Sequence, residues 1–183
     1  MKSVRSLVVT IIVACLSLVA CSTQEQPQVN DPLKIPAAYK QSLIVAAATK
    51  KVSARLLGAI VLTENHGIWP ADPYPNPPEG TGATGAFKLV HSMCPPGDAI
   101  IFAKAANCAA DYLANAGYTG SLTDGDYAFP SPGTVAGALA TYCGGLGYVN
   151  ALKTDVKMSP YRECIDQSHD GVAYYQLLSG SKL

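Results

Sequence analysis

Apolar residues recur at helical spacing in several stretches of the chain, and segments rich in proline and glycine separate them. The first stretch predicts a helix from Ala37 to Lys51. The next predicts a helix that begins after an N-cap at Ser53 and ends at Glu64. Long runs of strict alternation are absent from the sequence, so strands are at most a minor part of the fold. Further helices are predicted from an Asp98 cap to about Ala116, from about Thr134 to Tyr142, over 147–153, and from Ser159 and Pro160 onward.

Two segments between these helices are predicted to be long surface loops. Residues 67–81 hold five prolines, and residues 117–133 are rich in glycine, proline and aspartate. Proline cannot donate a backbone hydrogen bond and glycine favours turn conformations, so neither segment suits a regular element. The sequence therefore predicts a mainly α fold with long Pro/Gly-rich loops.

The N-terminal segment has the pattern of a signal peptide. Lys2 and Arg5 form a short basic region, and an almost wholly apolar run follows from Leu7 to Val19. Small residues then precede Cys21, which is typical of a bacterial lipoprotein whose cysteine is acylated. An uncleaved membrane anchor is the alternative, but the apolar run is short for a span. We predict a signal peptide over 1–20, a flexible tether over 21–36 and one domain over 37–183.

The charge balance of the chain argues against a nucleic-acid partner. The full chain has 13 basic and 13 acidic residues, and its charged fraction of 14% is about half the usual quarter. Loss of Lys2 and Arg5 with the signal peptide leaves 11 basic residues against 13 acidic ones. Because the chain has no basic cluster, it lacks the electrostatic footprint of a nucleic-acid-binding protein, and we expect no nucleic-acid partner.

The predicted domain contains four cysteines, which are Cys94, Cys108, Cys143 and Cys164. An even set in an exported protein suggests two disulfides. Of the three pairings, we prefer the most local one, Cys94 with Cys108 and Cys143 with Cys164. A zinc site is the alternative, but there is no CxxC motif and the three histidines are scattered. We therefore predict neither a metal nor a cofactor.

Glu64 is the candidate catalytic residue. It shares a helical face with Leu57, Ile60 and Val61 and directly precedes the proline-rich loop. Partial burial at the end of such a face disfavours the charged carboxylate and raises its pKa. A glutamic acid with a raised pKa donates a proton near neutral pH, as glycosidic bond cleavage requires. The alternative is a glutamate at a helix end that points into water.

Four sequence segments together resemble a known superfamily. They read RLLGAIVLTE over 55–64, GATGAFK over 82–88, AANCAADYLA over 105–114 and ALATYCGGLGY over 138–148. In this order they resemble the soluble lytic transglycosylase and goose-type lysozyme superfamily, over about residues 50–155. The resemblance implies a lysozyme-like helical domain with Glu64 as the catalytic acid. It also implies substrate-binding positions at Gly85, Phe87, Lys88 and Tyr142.

The chain departs from the family pattern at three positions. Asn65 stands where the family has serine, Lys88 where it has glutamine, and Cys143 where it has asparagine. The family glutamine lines the saccharide cleft, so its replacement alters a substrate contact. A lysine there would instead place a cation beside Glu64 and lower the pKa of the carboxyl.

The resemblance implies cleavage between N-acetylmuramic acid and N-acetylglucosamine by a single carboxyl group. Glu64 protonates the leaving oxygen and then takes a proton from the muramyl 6-hydroxyl, which closes a 1,6-anhydro ring. Hydrolysis of the lysozyme type needs a second acid, for which Asp72 and Glu79 are candidates. The aromatic side chains that either stack on sugars or pack in the core are Trp69, Tyr74 and Phe87. No role is assigned to His66, His91 or His169.

These expectations combine into an envelope-anchored peptidoglycan lytic transglycosylase whose partners are glycan strands and, through the acylated Cys21, a membrane. Ser22 after the cysteine favours the periplasmic face of the outer membrane. The alternative is a non-catalytic lipoprotein on the same fold that binds glycan or serves as a structural part of the envelope. Lys88 and Cys143 support that alternative. The sequence indicates no protein partner.

Overall fold

The computed structural model describes residues 28–75, 82–124, 131–145, 162–181 and 183. Within them the one sheet is an antiparallel hairpin in which Ala83 pairs with Val90 and Thr84 with Leu89. The described elements are α1 (Ala37–Lys50), α2 (Ala54–Glu64), β1 (Ala83–Thr84), β2 (Leu89–Val90), α3 (Pro96–Ala99), α4 (Phe102–Asn115), α5 (Val135–Gly144), α6 (Arg162–Leu177) and a 3-10 turn (Leu178–Gly180). The prediction of a mainly α fold is confirmed.

Helix α2 is the central element of the fold. Every residue from Leu56 to Leu62 is buried, as expected for a helix that is hydrophobic all round. The helix packs against α1 and α6. The Ser53 side chain accepts a hydrogen bond from the Leu56 N–H at 3.3 Å, so the predicted N-cap is confirmed. Packing on all sides fixes the position of Glu64, the last residue of the helix.

A cluster of aromatic rings fills the core where α1 packs against α4. The Tyr39 and Phe102 rings stack with their centroids 3.8 Å apart. Phe87 contacts Phe102 at 5.5 Å between centroids, and Trp69 lies 6.3 Å from Tyr39. None of the four side chains is more than 2% exposed. Rings of this size make large contributions to the hydrophobic free energy of folding.

The single helix predicted from an Asp98 cap to about Ala116 is two helices in the structure, α3 and α4. The predicted start of that helix is therefore wrong. Asp98 does not cap a helix; its carboxylate instead forms an ion pair with Lys104 at 2.7 Å. The N-cap position of α4 is Ile101, whose side chain has no hydrogen-bonding group. Asp72, from the preceding loop, accepts the Phe102 N–H at 3.0 Å in its place. A break between α3 and α4 is therefore stabilised by a residue distant in sequence.

Helix α5 agrees with its prediction to within two residues. Thr134 is its N-cap and accepts the Gly137 N–H at 2.9 Å. The helix ends before Gly145, which has a φ of 76°, a value that glycine adopts readily. Its buried face packs along α6. The predicted helix over 147–153 and the predicted helix start at Ser159 lie outside the described residues.

Both predicted disulfides are present in the preferred local pairing. Cys94–Cys108 joins the segment before α3 to α4, and Cys143–Cys164 joins α5 to α6. Disulfides that close loops of this size contribute about 2–4 kcal/mol to folding stability. The pairing makes one covalent link between α5 and α6 and one between α4 and the segment before α3.

The segment before α1 is not a free tether along its whole length. Val29 exchanges two backbone hydrogen bonds with Trp69, at 2.9 and 2.8 Å. The Trp69 indole also donates to the Pro32 carbonyl at 2.9 Å. Val29 and Pro32, which lie in the predicted tether over 21–36, are therefore joined to the domain by hydrogen bonds with Trp69. In the part of the chain that the structure describes, no helix has the length and apolar character needed to cross a membrane.

Candidate active site

An open groove with a volume of about 530 Å³ lies at the C-terminal end of α2. The hairpin and the residues after it, Tyr112 of α4, the end of α5 and Gln167 of α6 complete its lining. Its lining includes Glu64, Lys88, Tyr112, Tyr142, Cys143 and Gln167. The groove thus brings together residues from α2, the hairpin, α4, α5 and α6.

Glu64 is a partly buried carboxyl group that faces this groove. Burial raises its pKa from 4.5 to about 7, and the opposing effect of the Lys88 cation is smaller. Glu64 makes no hydrogen bond or ion pair with any residue that the structure describes. Most buried polar groups have such a partner, and exceptions are found at catalytic positions. The carboxyl is therefore poised to exchange a proton near neutral pH.

Tyr142 lies beside Glu64 but uses its hydroxyl proton elsewhere. The hydroxyl donates to the Phe87 carbonyl at 2.7 Å. Burial raises the pKa of Tyr142 well above its usual value, and the neighbouring Glu64 charge adds to the rise. Tyr142 is thus a neutral groove residue that positions the hairpin turn.

Asn65 has a similar positioning role, which the sequence analysis did not assign. Its amide donates to the Val61 carbonyl and to the Ala86 carbonyl, both at 2.7 Å. The first bond closes the last turn of α2, and the second links that turn to the hairpin. An asparagine directly after the candidate acid was the available signal, because its amide reaches backbone carbonyls on two segments.

Two residues predicted to contact substrate are instead structural, and these predictions are wrong. The Phe87 ring is 0% exposed and packs in the aromatic core, so it cannot stack on a sugar. Gly85 is buried with a φ of 79°, and a Cβ there would lie 1.7 Å from the Ala99 carbonyl oxygen. Gly85 is needed for the turn and for this close approach.

Lys88 faces the groove from the same turn. It has a φ of 48°, and its N–H donates to the Gly85 carbonyl at 3.1 Å. Its ammonium donates to the Tyr74 hydroxyl at 2.5 Å. Lys88 therefore places a cation in the groove near Glu64, as expected for a lysine at this position, while its effect on the Glu64 pKa is outweighed by burial.

Tyr112 and Gln167 line the groove but were not predicted to do so. Tyr112 donates its hydroxyl to the Thr141 carbonyl at 3.1 Å and meets the Tyr142 ring edge-to-face at 5.9 Å. Gln167 lies on α6, one turn after the bonded Cys164. Tyr112 falls inside the third family-like segment, so its position was a usable signal. The α6 helix lies outside the resemblance, so nothing in the sequence indicated Gln167.

The remaining candidates do not meet at Glu64. Trp69 is fully buried and donates to Pro32, so it packs in the core instead of binding sugar. Tyr74 contacts Lys88 and is partly buried. Asp72 is engaged in capping α4 and does not line the groove, so it is wrong as a second acid. Glu79 lies outside the described residues. The three histidines, for which no role was predicted, are exposed and lie outside the groove lining.

Metal-binding chemistry has no candidate in the described ranges, which contain no group of three or more His, Cys, Asp or Glu side chains able to hold an ion. Comparisons of the chain with protein-family models, curated proteins and solved structures gave no match.

Proposed function

We propose that the protein is a peptidoglycan lytic transglycosylase with a lysozyme-like helical fold, in which Glu64 is the general acid and base. The observation that carries the proposal is the state of the Glu64 carboxyl. It lies in an open groove, makes no hydrogen bond with the described residues, and has a pKa raised to about 7. The order of the family-like segments supplies the substrate class.

A pKa near 7 suits both halves of the reaction. Protonated Glu64 donates its proton to the oxygen that leaves from the muramic acid C1 as the glycosidic bond breaks. The resulting carboxylate then accepts the proton of the muramyl 6-hydroxyl while that oxygen bonds to C1. The carboxyl ends the cycle protonated again.

We propose internal transfer rather than hydrolysis at this groove. Among the described residues that line it, Glu64 has the only carboxyl group. An inverting hydrolase requires a second carboxylate that activates water, and a retaining one requires a second carboxylate as nucleophile. A transglycosylase takes its nucleophile from the substrate. Hydrolysis of the lysozyme type remains the second enzymatic option, and it predicts a different product.

The proposed location follows from the lipoprotein signal. Cys21 lies outside the described residues, and we propose that its acyl group tethers the domain to the periplasmic face of the outer membrane. The chain joins the domain by Val29, which pairs with Trp69. A short tether raises the effective concentration of the glycan strands and restricts cleavage to the nearby wall.

Release of soluble fragments from purified sacculi tests the proposal. Wild type should release glycan, and Glu64→Gln should lose about a hundredfold or more of this activity, as is typical for loss of a general acid. Asp166→Asn is the matched control, since Asp166 is exposed and does not line the groove. A wild-type protein that binds sacculi without releasing fragments would instead support the non-catalytic alternative.

A further inference from the structure

The turn that carries Lys88 is held in place from several sides. The Ala86 carbonyl accepts a hydrogen bond from Asn65, and the Phe87 carbonyl accepts one from Tyr142. The Phe87 ring is buried in the core, and Gly85 packs directly on the Ala99 carbonyl. The backbone of the turn is therefore fixed, and the Lys88 side chain is the part of it that faces the groove. The rigid turn therefore fixes the point from which the Lys88 side chain enters the groove.

The Lys88 ammonium keeps donor capacity for a ligand. One of its three N–H groups donates to the Tyr74 hydroxyl. No carboxylate among the described residues lies within 4.0 Å of the ammonium, Glu64 included. Lys88 is only partly buried and lines the groove, so an anionic group of a ligand in the groove can reach its ammonium.

We infer that Lys88 is a specificity-determining residue that binds a carboxylate of the glycan substrate next to the bond that Glu64 cleaves. This inference rests on the proposed function. A muramic acid residue carries a lactyl ether at its 3-position. The lactyl carboxyl is free where the peptide has been removed, and it is an amide where the peptide is present. In the second case the carboxylates belong to the peptide. In both cases the Lys88 ammonium binds a carboxylate.

A bound carboxylate would also couple recognition to catalysis. In the empty groove the Lys88 cation favours ionised Glu64 and so opposes its role as an acid. A substrate anion at the ammonium offsets that effect and leaves Glu64 protonated when the scissile bond is in place. A neutral glycan has no such effect, so the groove discriminates against it in binding and in the first proton transfer.

Binding to three forms of glycan tests the inference. The protein used is Glu64→Gln, which should bind without cleaving. The ligands are peptide-free glycan strands, the same strands with their lactyl carboxylates converted to methylamides, and peptide-bearing strands. The variants compared in this background are Lys88→Gln, Lys88→Arg and, as a control with the same change in charge, Lys34→Gln, whose side chain is 78% exposed.

The Glu64→Gln protein should bind either the peptide-free strands or the peptide-bearing strands roughly tenfold more tightly than the methylamide strands. A difference of this size is expected for a charge-assisted hydrogen bond. Lys88→Gln should abolish this preference, whereas Lys88→Arg and Lys34→Gln should keep it. Preference for peptide-free strands assigns the lactyl carboxylate, and preference for peptide-bearing strands assigns a peptide carboxylate. Equal binding of all forms, or a preference that survives Lys88→Gln, overturns the inference. If the inference is overturned but wild type still cleaves sacculi, the proposed function stands. If no form of glycan is bound or cleaved, the inference and the proposed function both fail.

Discussion

Glu64→Gln should stabilise the folded protein at neutral and alkaline pH. Burial raises the pKa of Glu64 to about 7, whereas in the unfolded chain the carboxyl has its ordinary value of 4.5. Between these values the folded state binds more protons than the unfolded state, so wild type loses stability as pH rises. Glutamine is neutral at every pH and close in shape to the protonated acid, so the variant lacks this loss.

The size of the effect follows from the two pKa values. A rise from 4.5 to about 7 corresponds to about 3 kcal/mol, at about 1.4 kcal/mol for each factor of ten. The difference in unfolding free energy between variant and wild type should be constant below pH 4.5. It should grow in favour of the variant between pH 4.5 and 7 and level off above pH 7. A gain of this size is a large fraction of the stability of a small domain.

Urea denaturation from pH 4 to 9 measures this difference. Trp69 is the only tryptophan of the chain and is fully buried, so its fluorescence reports unfolding. Asp166→Asn is again the control: its side chain is exposed, so its stability profile should follow that of wild type. Parallel profiles for wild type and Glu64→Gln would show that Glu64 is solvated in the folded state, and the proposed acid role would lose its physical basis.

Three further predictions concern the scaffold of the groove. Gly85→Ala should destabilise the fold by about 2–5 kcal/mol in the same urea assay, because it strains a positive φ and drives a methyl group into the Ala99 carbonyl; an unchanged midpoint would contradict this. Tyr142→Phe should cost about 1–3 kcal/mol by leaving the buried Phe87 carbonyl without its donor, and wild-type stability would refute the bond. Thiol titration of the denatured, unreduced mature protein, with Cys21 acylated, should detect no free thiol, whereas any titratable domain cysteine would contradict the two disulfides.

Local signals in the sequence were enough to predict most of the helices. Ser53 caps the helix predicted to follow it, and the helix predicted to begin at about Thr134 begins directly after that residue. Both disulfides also formed in the local pairing, since cysteines close in sequence need little further structure to meet. The place of Glu64 at the end of an apolar helix likewise correctly predicted partial burial and a raised pKa. Each of these features depends on residues near one another in the chain.

The errors concern contacts between distant segments. Asp72 caps α4 from another loop, which allowed the break after α3 that no local pattern shows. Phe87 is an aromatic residue of the kind that stacks on sugars, but its ring is buried and packs against Phe102 in the core. Gln167 reaches the groove only because α6 packs beside α5. Propensity and spacing do not report such packing, which depends on the complete fold.

Digestion of purified sacculi in water enriched in oxygen-18 distinguishes internal transfer at Glu64 from hydrolysis. Intramolecular attack by the muramyl 6-hydroxyl takes no oxygen from the solvent. We therefore expect 1,6-anhydro ends that contain no heavy oxygen, produced by wild type and lost in Glu64→Gln. Reducing ends that carry heavy oxygen would show hydrolysis instead, and product formation that is unchanged in Glu64→Gln would remove Glu64 from the reaction.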